Sequence, residues 1–189
     1  MTGQPTESAR SPARQAGGTD AGQPAWVGLG ANLPSHAGDP AETLSQAVAT
    51  ISALPGATLL AASSRYRSSP VDSDGPQYCN QVIRIRTTLG ADALLRALQD
   101  IEQAFGRQRP YRNAPRTLDL DLLLYADEQR DGDVLTLPHP RMHERLFVLM
   151  PLAEIDPDIE IPGHGRVSAL LATLSASTTG QFCEALPAP

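Results

Sequence analysis

One stretch of alternating residues, Thr117–Tyr125, limits the folds open to this chain more than any other feature. Every even-numbered position from 118 to 124 is leucine, and Asp119 and Asp121 lie between the first of these leucines. Because successive side chains of a strand point to opposite faces, this stretch predicts a strand with one leucine face and one face that carries two carboxylates. The leucine face needs a hydrophobic layer against it, which favours a sheet covered by helices.

The other hydrophobic patterns predict further strands and helices. Asp39 is an N-cap residue, Pro40 suits the first helical position and Glu42 completes a capping box, so a helix is expected to begin there and to end near Pro55. The order strand, helix, strand, strand, helix, strand predicts an α+β ferredoxin-like sandwich, with helices packed on a mainly antiparallel sheet. The remaining expected elements are strands at residues 26–30, 57–66 and 78–88, a helix from 91 until Gly106 ends it, short helices at 144–150 and 167–175, and long loops at 67–77 and 107–116.

The length of 189 residues predicts a single domain with a flexible segment at each end. Residues 1–24 are rich in small and polar residues without hydrophobic periodicity, and we expect them to form a disordered leader. Residues 25–175 would form the domain, and residues 176–189 a flexible tail. The sequence contains neither a signal peptide nor a run of 18 apolar residues, so a soluble, cytoplasmic protein that does not bind membranes is expected. We expect a monomer.

The charge of the chain restricts its ligands. The net charge of −6 opposes a general electrostatic attraction to nucleic acid, so no nucleic-acid partner is expected. All 15 cationic side chains are arginine, and the absence of lysine excludes a P-loop lysine and a Schiff-base lysine. Arginine therefore has to bind any phosphate. The two cysteines, Cys79 and Cys183, lack the spacing of a metal site.

The carboxylates of Asp119 and Asp121 form a candidate metal site. Their Cα atoms would lie roughly 7 Å apart on one face of the strand, within the reach of shared oxygen ligation. Hard oxygen ligands suit Mg²⁺, and paired ions of this kind serve phosphoryl transfer. The spacing alone is equally compatible with the exposed polar face of an edge strand.

An arginine cluster directly precedes these aspartates. Guanidinium groups bind phosphate oxygens in a bidentate manner and keep their charge, so the cluster favours a triphosphate site beside the metal site. A solvated basic loop is the alternative. Glu102, one turn before the predicted helix end, could orient an arginine or a ligand, although an ordinary surface role is more common for a single glutamate. The cluster consists of Arg107, Arg109, Arg112 and Arg116.

Two further groups of polar residues are weaker indications of a ligand-binding site. Tyr78 and Asn80 share one face of a predicted strand, and an amide there suits a planar heterocycle, although a structural role is more common for such a pair. His139 and His143 are four residues apart, but Pro138 and Pro140 oppose a continuous helix, so zinc is not expected. A single phosphate contact by His139 is the preferred interpretation.

Four motifs occur in a fixed order along the chain. They are Gly30-Ala31-Asn32, Tyr78-Cys79-Asn80, Pro115-Arg116-Thr117-Leu118-Asp119-Leu120-Asp121 and Leu137-Pro138-His139-Pro140. The longest motif, from Pro115 to Asp121, is highly specific. With these motifs the chain resembles the 6-hydroxymethyl-7,8-dihydropterin pyrophosphokinases of folate biosynthesis, and the resemblance covers roughly residues 25 to 165.

The resemblance implies a reaction and a set of site residues. The β,γ-pyrophosphoryl unit of ATP would pass to the hydroxymethyl oxygen of the pterin, giving AMP and the pterin diphosphate, with dihydropteroate synthase as the next enzyme of the pathway. Two Mg²⁺ ions, bound with ATP, would be held by Asp119 and Asp121. The implied catalytic residues are Arg107, Arg116, Asp119 and Asp121. The implied ATP contacts are Gln99, Glu102, Arg107, Arg109, Arg112, Arg116, Thr136, His139 and Arg145. The implied pterin contacts are Pro70, Val71, Tyr78, Asn80, Asp119 and Phe147.

Two other functions fit parts of the pattern. A Mg²⁺-dependent nucleotidyltransferase with a palm-like ferredoxin fold would also use paired aspartates, but it would release pyrophosphate instead of AMP. An RNA-binding module of the same fold would need aromatic residues on its sheet and a basic surface. This chain has only 4% aromatic residues and a negative net charge, so the RNA-binding function is disfavoured.

Overall fold

The computed structural model describes residues 22–70, 75–107, 116–176 and 180–187. Its helices and strands follow the predicted order, with short additional strands near the C-terminus. The strands are β1 (Gln23–Ala31), β2 (Ala57–Ala62), β3 (Tyr66–Ser68), β4 (Tyr78–Thr87), β5 (Asp119–Tyr125), β6 (Glu160–Ile161), β7 (Gly165–Arg166) and β8 (Cys183–Ala185), and the helices are α1 (Pro40–Ser52), α2 (Ala91–Ala104), α3 (Leu146–Ile155) and α4 (Val167–Ala176).

The main sheet confirms the predicted α+β ferredoxin-like sandwich. Its strand order is β5-β1-β4-β3-β8, β2 also pairs with β4, and each of these pairings is antiparallel. Strand β1 therefore lies between β4 and β5. Gly30 of β1 lies opposite Asn80 on one side and opposite Asp119 on the other.

Hydrophobic clusters cover both faces of this sheet. On one face, Leu44 of α1 and Leu94 of α2 pack in the same cluster as Val27 of β1, and all three are fully buried. On the other face, Leu149 and Leu152 of α3 pack with Trp26, Val82 and Leu123 from the sheet. The two layers fix the sheet between helices, and α3 covers only part of its face.

The start of α1 and the end of α2 form as the sequence predicts. The Asp39 carboxylate accepts the Glu42 backbone N–H at 2.9 Å, and the Glu42 carboxylate accepts the Asp39 backbone N–H at 2.9 Å. This reciprocal pair satisfies two N–H groups that the first helical turn leaves unpaired. Gly106 has a φ of 76° just beyond α2, a conformation that glycine adopts without steric cost.

The leucine alternation is confirmed for the first part of β5 and is wrong at Leu124. Trp26 lies opposite Leu124 and Val27 lies opposite Leu122, so β5 has one extra residue, Leu123, at a bulge. Leu123 and Leu124 both pack in the cluster that contains α3, instead of on alternate faces. Asp119 and Asp121 precede the bulge and keep their shared face.

The stretch predicted as one strand at residues 57–66 is interrupted. Glu154 of α3 accepts the Ser64 backbone N–H at 2.8 Å and the Tyr66 hydroxyl at 2.8 Å. These bonds divide the stretch into β2 and β3, and β3 continues to Ser68, inside the predicted loop. A carboxylate from a distant helix supplies the acceptor, which local sequence patterns do not reveal.

Both predicted terminal segments differ in extent from the described structure. β1 begins at Gln23, two residues inside the predicted leader. Strand β8 lies within the predicted flexible tail, where it pairs with the edge strand β3. An ion pair between Arg67 and Glu184 joins the two strands. The unpaired edge of β3 thus provides the backbone partner that orders residues 183–185.

Among the described residues, no helix combines the length and the apolar character that a membrane span requires.

Candidate active site

A cleft with a cavity volume of about 110 Å³ opens over the sheet face that carries Asp119 and Asp121. Its floor is β1, where Gly28 and Gly30 contribute no side chains. Its walls come from β4, β5 and the beginning of α3. The cleft brings together Arg116, Asp119, Asp121, Tyr78, Asn80, Arg145 and Phe147, all expected to belong to one site.

Gly28 and Gly30 on the floor separate the wall that carries Asn80 from the wall that carries Asp119 and Asp121. Because Gly30 is flanked by Asn80 and Asp119, those two residues are separated by two strand spacings, or about 10 Å. A Cβ atom at Gly30 would lie 3.4 Å from Asn80 Oδ1 and 3.9 Å from Tyr78 Cδ1. The missing side chain leaves room for a flat ring over the strand.

Two guanidinium groups hold Asp119. Arg107 Nη2 lies 2.6 Å from Asp119 Oδ1, and Arg116 Nη1 lies 2.6 Å from Asp119 Oδ2. Asn32 fixes the backbone of Arg116, since its Oδ1 accepts the Arg116 N–H at 2.8 Å and its N–H donates to the Arg116 carbonyl at 3.1 Å. The Gly-Ala-Asn motif at the end of β1 thereby positions an arginine of the cleft.

The Glu102 carboxylate is used inside the protein. The residue is only 3% exposed, forms an ion pair with Arg107 and accepts the Leu120 backbone N–H at 2.6 Å. It joins α2 to β5 next to the aspartate pair. This placement favours positioning of Arg107 and β5 over the direct ATP contact that the resemblance implies.

Asp121 lies in a different environment from Asp119. Burial raises the pKa of the Asp121 carboxyl, and the negative charge of Asp119 raises it further, while Arg145, Arg107 and Arg116 oppose this shift. Among the described residues, Asp121 forms no ion pair within 4.0 Å. A cation bound next to Asp121 would therefore stabilise its ionised carboxylate form.

The residues present fit a Mg²⁺ site. Asp119 and Asp121 offer hard oxygen ligands from one strand face, and no group of three or more metal-ligating side chains occurs in the ranges that the structure describes. Mg²⁺ in proteins is commonly bound by one or two carboxylates, with phosphate and water oxygens as its other ligands. The two aspartates therefore suit a Mg²⁺ ion whose other ligands come from the phosphates of a nucleotide and from water.

Arg145 lines the cleft at the start of α3, and His139, which is not among the cleft-lining residues of the described ranges, lies close to Arg145. Burial and the neighbouring Arg145 charge lower the pKa of His139 to about 4, so its imidazole is neutral at pH 7. His139 Nδ1 accepts the Arg141 backbone N–H at 3.2 Å, which leaves the imidazole proton on Nε2. Burial and the nearby Arg141 lower the pKa of Arg145, whose Nε is buried without a hydrogen-bond partner among the described residues.

The amide of Asn80 has a fixed orientation. Its Nδ2 donates to Ser68 Oγ at 2.9 Å and to the Tyr66 carbonyl at 3.4 Å, and Oδ1 lies near the floor above Gly30. Tyr78 lines the cleft beside it, and burial raises the pKa of its phenol. This wall offers a buried acceptor and an aromatic ring.

Phe147 supplies a second aromatic surface. It lies in the first turn of α3, and the Arg145 guanidinium is 5.4 Å from the centre of its ring. Pro70 is half-buried beyond β3, next to the cleft residue Ser69.

Some expected site residues lie elsewhere or outside the described ranges. Gln99 is exposed on α2, and the Thr136 hydroxyl donates to Asp131 at 3.3 Å; neither residue lines the cleft in the described part of the chain. His143 stacks on His164 at 3.6 Å instead of converging with His139. Val71, Arg109 and Arg112 lie outside the described residues.

The cleft also contains residues that the sequence patterns did not single out. Arg141, Gln81 and Ser68 line it. Arg141 could have been found as a cation two residues after His139 in an acidic chain. Ser68 and Gln81 had no local signal, because their roles depend on strand pairing.

The family model for 7,8-dihydro-6-hydroxymethylpterin-pyrophosphokinase (HPPK) matches residues 26–157, which contain the main cleft residues. The chain belongs to the HPPK family. A Synechocystis 2-amino-4-hydroxy-6-hydroxymethyldihydropteridine pyrophosphokinase is 43% identical over 75% of this chain and 71% of its own length. The Bacillus subtilis protein of the same name is 43% identical over 72% of this chain and 80% of its own. Schizosaccharomyces pombe folic acid synthesis protein fol1 is 37% identical over 73% of this chain and 18% of its own.

Solved structures show the HPPK fold at low sequence identity. Plasmodium falciparum wild-type HPPK-DHPS with pterin and p-hydroxybenzoate has a TM-score of 0.62 at 11% identity, over 80% of this chain and 43% of that chain. An HPPK-DHPS structure in complex with substrates has a TM-score of 0.62 at 10% identity, over 81% of this chain and 45% of that chain. This chain spans less than half the length of either solved chain.

Proposed function

We propose that this chain transfers the β,γ-pyrophosphoryl group of ATP to the hydroxymethyl oxygen of 6-hydroxymethyl-7,8-dihydropterin. The hydroxymethyl oxygen loses its proton and bonds to the β-phosphorus, and the bond from the β-phosphorus to the oxygen that bridges to the α-phosphorus breaks, so this oxygen leaves with AMP. AMP and the pterin diphosphate are the products. The observation that carries the proposal is one cleft in an HPPK family member, with a carboxylate pair and a buried amide on opposite sides of a glycine floor.

The carboxylate side of the cleft binds the triphosphate in this proposal. Arg116 and Arg145 line this side as cations, and the buried Arg107 supports Asp119 from behind. Asp119 and Asp121 are the residues that would hold Mg²⁺, and we propose two ions. Bound Mg²⁺ supplies neutralisation of the phosphate charge. The arginines orient the transferring phosphates and stabilise the charge that develops on them.

The amide side of the cleft binds the pterin. Asn80 Oδ1 accepts a hydrogen bond from an N–H of the ring, and the hydrogen bond to Ser68 keeps this acceptor in place. Phe147 stacks against the ring, with Tyr78 and Pro70 at its edges. The flat ring lies over Gly30, which directs the hydroxymethyl group toward the aspartates. Positioning of both substrates supplies a large part of the acceleration.

The reaction is tested by its products. The full-length protein is incubated with Mg²⁺, ATP and 6-hydroxymethyl-7,8-dihydropterin, and the nucleotides are separated by chromatography. We expect AMP that depends on the pterin, without free pyrophosphate. ADP would indicate a simple kinase, and free pyrophosphate would indicate a nucleotidyltransferase; either product would contradict the proposal.

A substitution at the cleft floor tests the location of the pterin. The new methyl group of Gly30→Ala would make an ordinary contact with Asn80, so folding is expected to proceed. An extra methyl group in the ring site should weaken pterin binding by about tenfold or more, since one methylene is worth that much in a tight pocket. Isothermal titration with the pterin measures the effect.

Gly90→Ala is the matched control for this experiment. A Cβ atom at Gly90 meets no atom within 4 Å, and the residue lies at the N-cap of α2, outside the cleft lining. Its pterin affinity should equal that of the unmodified protein. Equal affinities for the two glycine variants would place the pterin elsewhere.

We propose that the protein acts as a monomer in the cytoplasm and that dihydropteroate synthase consumes its product. The similarity to HPPK-DHPS chains supports this neighbouring step. Analytical ultracentrifugation of the full chain measures its mass in solution and tests whether it is a monomer.

A further inference from the structure

The residues 181–185 near the C-terminus contact two walls of the cleft, and we call them the C-terminal clamp. On one side they reach the start of α3, where Arg145 is the N-cap residue and Phe147 lies in the first turn. On the other side they pair with β3, which carries Ser68. The clamp lies beyond residues 26–157, the range that the HPPK family model matches. None of the four family motifs includes these residues.

The Gln181 side chain binds the backbone on both sides of Arg145. Its Oε1 accepts the Leu146 N–H at 2.9 Å, and its Nε2 donates to the Glu144 carbonyl at 2.8 Å. Arg145 is the N-cap residue of α3, and its own side chain forms no capping hydrogen bond. The first N–H groups of a helix need external acceptors. Gln181 provides one for α3 from 35 residues away.

The rest of the clamp fixes the opposite wall. Ser68 lies opposite Cys183 in the β3–β8 pairing, and the Ser69 N–H donates to the Phe182 carbonyl at 3.3 Å. Ser68 Oγ accepts the hydrogen bond that orients Asn80. The C-terminal clamp thus contacts both the backbone around Arg145 and Phe147 and the backbone of β3, which carries Ser68.

We propose that Gln181 is a positioning residue for both substrates. By fixing the peptide groups around Arg145, it sets where the guanidinium enters the cleft and how the Phe147 ring is presented. This inference rests on the proposed function, because it assigns Arg145 to the triphosphate and Phe147 to the pterin. Gln181 itself does not line the cleft among the described residues, so it acts through α3.

The test compares Gln181→Ala with Gln181→Glu in the full chain. The alanine variant loses both hydrogen bonds, whereas glutamate keeps an acceptor for the Leu146 N–H. We expect the dissociation constants for a non-hydrolysable ATP analogue and for the pterin each to rise about five- to twentyfold in the alanine variant, and less in the glutamate variant. Hydrogen exchange at the Leu146 amide should accelerate in the alanine variant. Gln46→Ala, at an exposed position of α1, is the control and should leave all three values unchanged.

The outcomes separate this inference from the proposed function. Faster exchange at Leu146 with unchanged dissociation constants would show a purely structural cap and overturn the positioning role. Unchanged exchange would overturn the contact itself. If Gln181→Ala does not fold, the two dissociation constants and the Leu146 exchange rate are measured for Gln181→Glu. Unchanged dissociation constants in that variant would contradict the positioning role. Failure of the unmodified protein to bind either substrate would overturn both the proposed function and this inference, whereas binding that Gln181 does not influence overturns the inference alone.

Discussion

Replacing Asp121 with asparagine is expected to lower kcat by at least about a hundredfold, because removal of one major electrostatic group of an active site typically costs that much. The change keeps the shape of the side chain and removes the charge that would hold Mg²⁺. Asp121 lies before the bulge of β5 and faces the cleft, so the strand pairing does not depend on its carboxylate. Steady-state rates of pterin-dependent AMP formation measure the loss.

The same substitution should stabilise the fold in the absence of metal. Burial and the Asp119 charge raise the pKa of Asp121 above that of the unfolded chain, so the folded protein holds this proton up to a higher pH. The stabilisation from the bound proton is present at low pH and is lost as the pH rises through the raised pKa. At pH 8 with EDTA, Asp121→Asn should therefore melt at a higher temperature than the unmodified protein.

The control for both measurements is Asp100→Asn, which changes an exposed aspartate on α2. It should alter neither kcat nor the melting temperature appreciably. Near-normal turnover of Asp121→Asn would refute the assignment of the carboxylate pair to the reaction. A lower melting temperature for this variant in EDTA would show that the carboxylate has a stabilising partner.

Replacing Glu102 with alanine is expected to lower the free energy of unfolding by about 2 kcal/mol, since the buried Arg107 then keeps only Asp119 as a carboxylate partner. The Arg107 side chain is only 7% exposed, so water cannot replace the lost carboxylate efficiently. The buried Leu120 N–H would also lose its acceptor. Urea denaturation followed by circular dichroism measures the change.

Glu160→Ala is the matched control, because Glu160 is exposed on β6 and should change the free energy of unfolding by less than about 0.5 kcal/mol. Glu102→Gln separates the charge from the acceptor, since glutamine can still accept the Leu120 N–H. A normally stable Glu102→Ala protein with a specific loss of ATP affinity would instead support the direct nucleotide contact that the resemblance implies.

The local elements were predictable where short-range chemistry defines them. The Asp39 capping box, the Gly106 stop of α2 and the shared face of Asp119 and Asp121 all depend on residues a few positions apart. Leu124 was assigned to the wrong face because a bulge arises from pairing with β1, which alternation in one strand does not reveal. The division between β2 and β3 was missed for a similar reason, because Glu154 comes from a distant helix.

The candidate site also contains both residues that the sequence predicted and residues that only the fold placed there. The motifs pointed to Asp119, Asp121, Tyr78 and Asn80 by their positions in predicted strands, and the cleft contains all four. The assignments of Gln99, Thr136 and the residues outside the described ranges stay predictions. Arg141 and Ser68 entered the cleft only through the fold.

The sequence by itself determined the order of elements, the family and the chemical character of the site, because capping, alternation and motifs are local properties of the chain. The tertiary structure decided which functional groups are available to substrate. It placed glycines between the amide and carboxylate walls, directed Glu102 inward to Arg107, and brought Gln181 to the first turn of α3. Most of these relations join residues far apart in the sequence, such as Gln181 and Leu146, which are 35 positions apart, and strand register and helix packing set their distances.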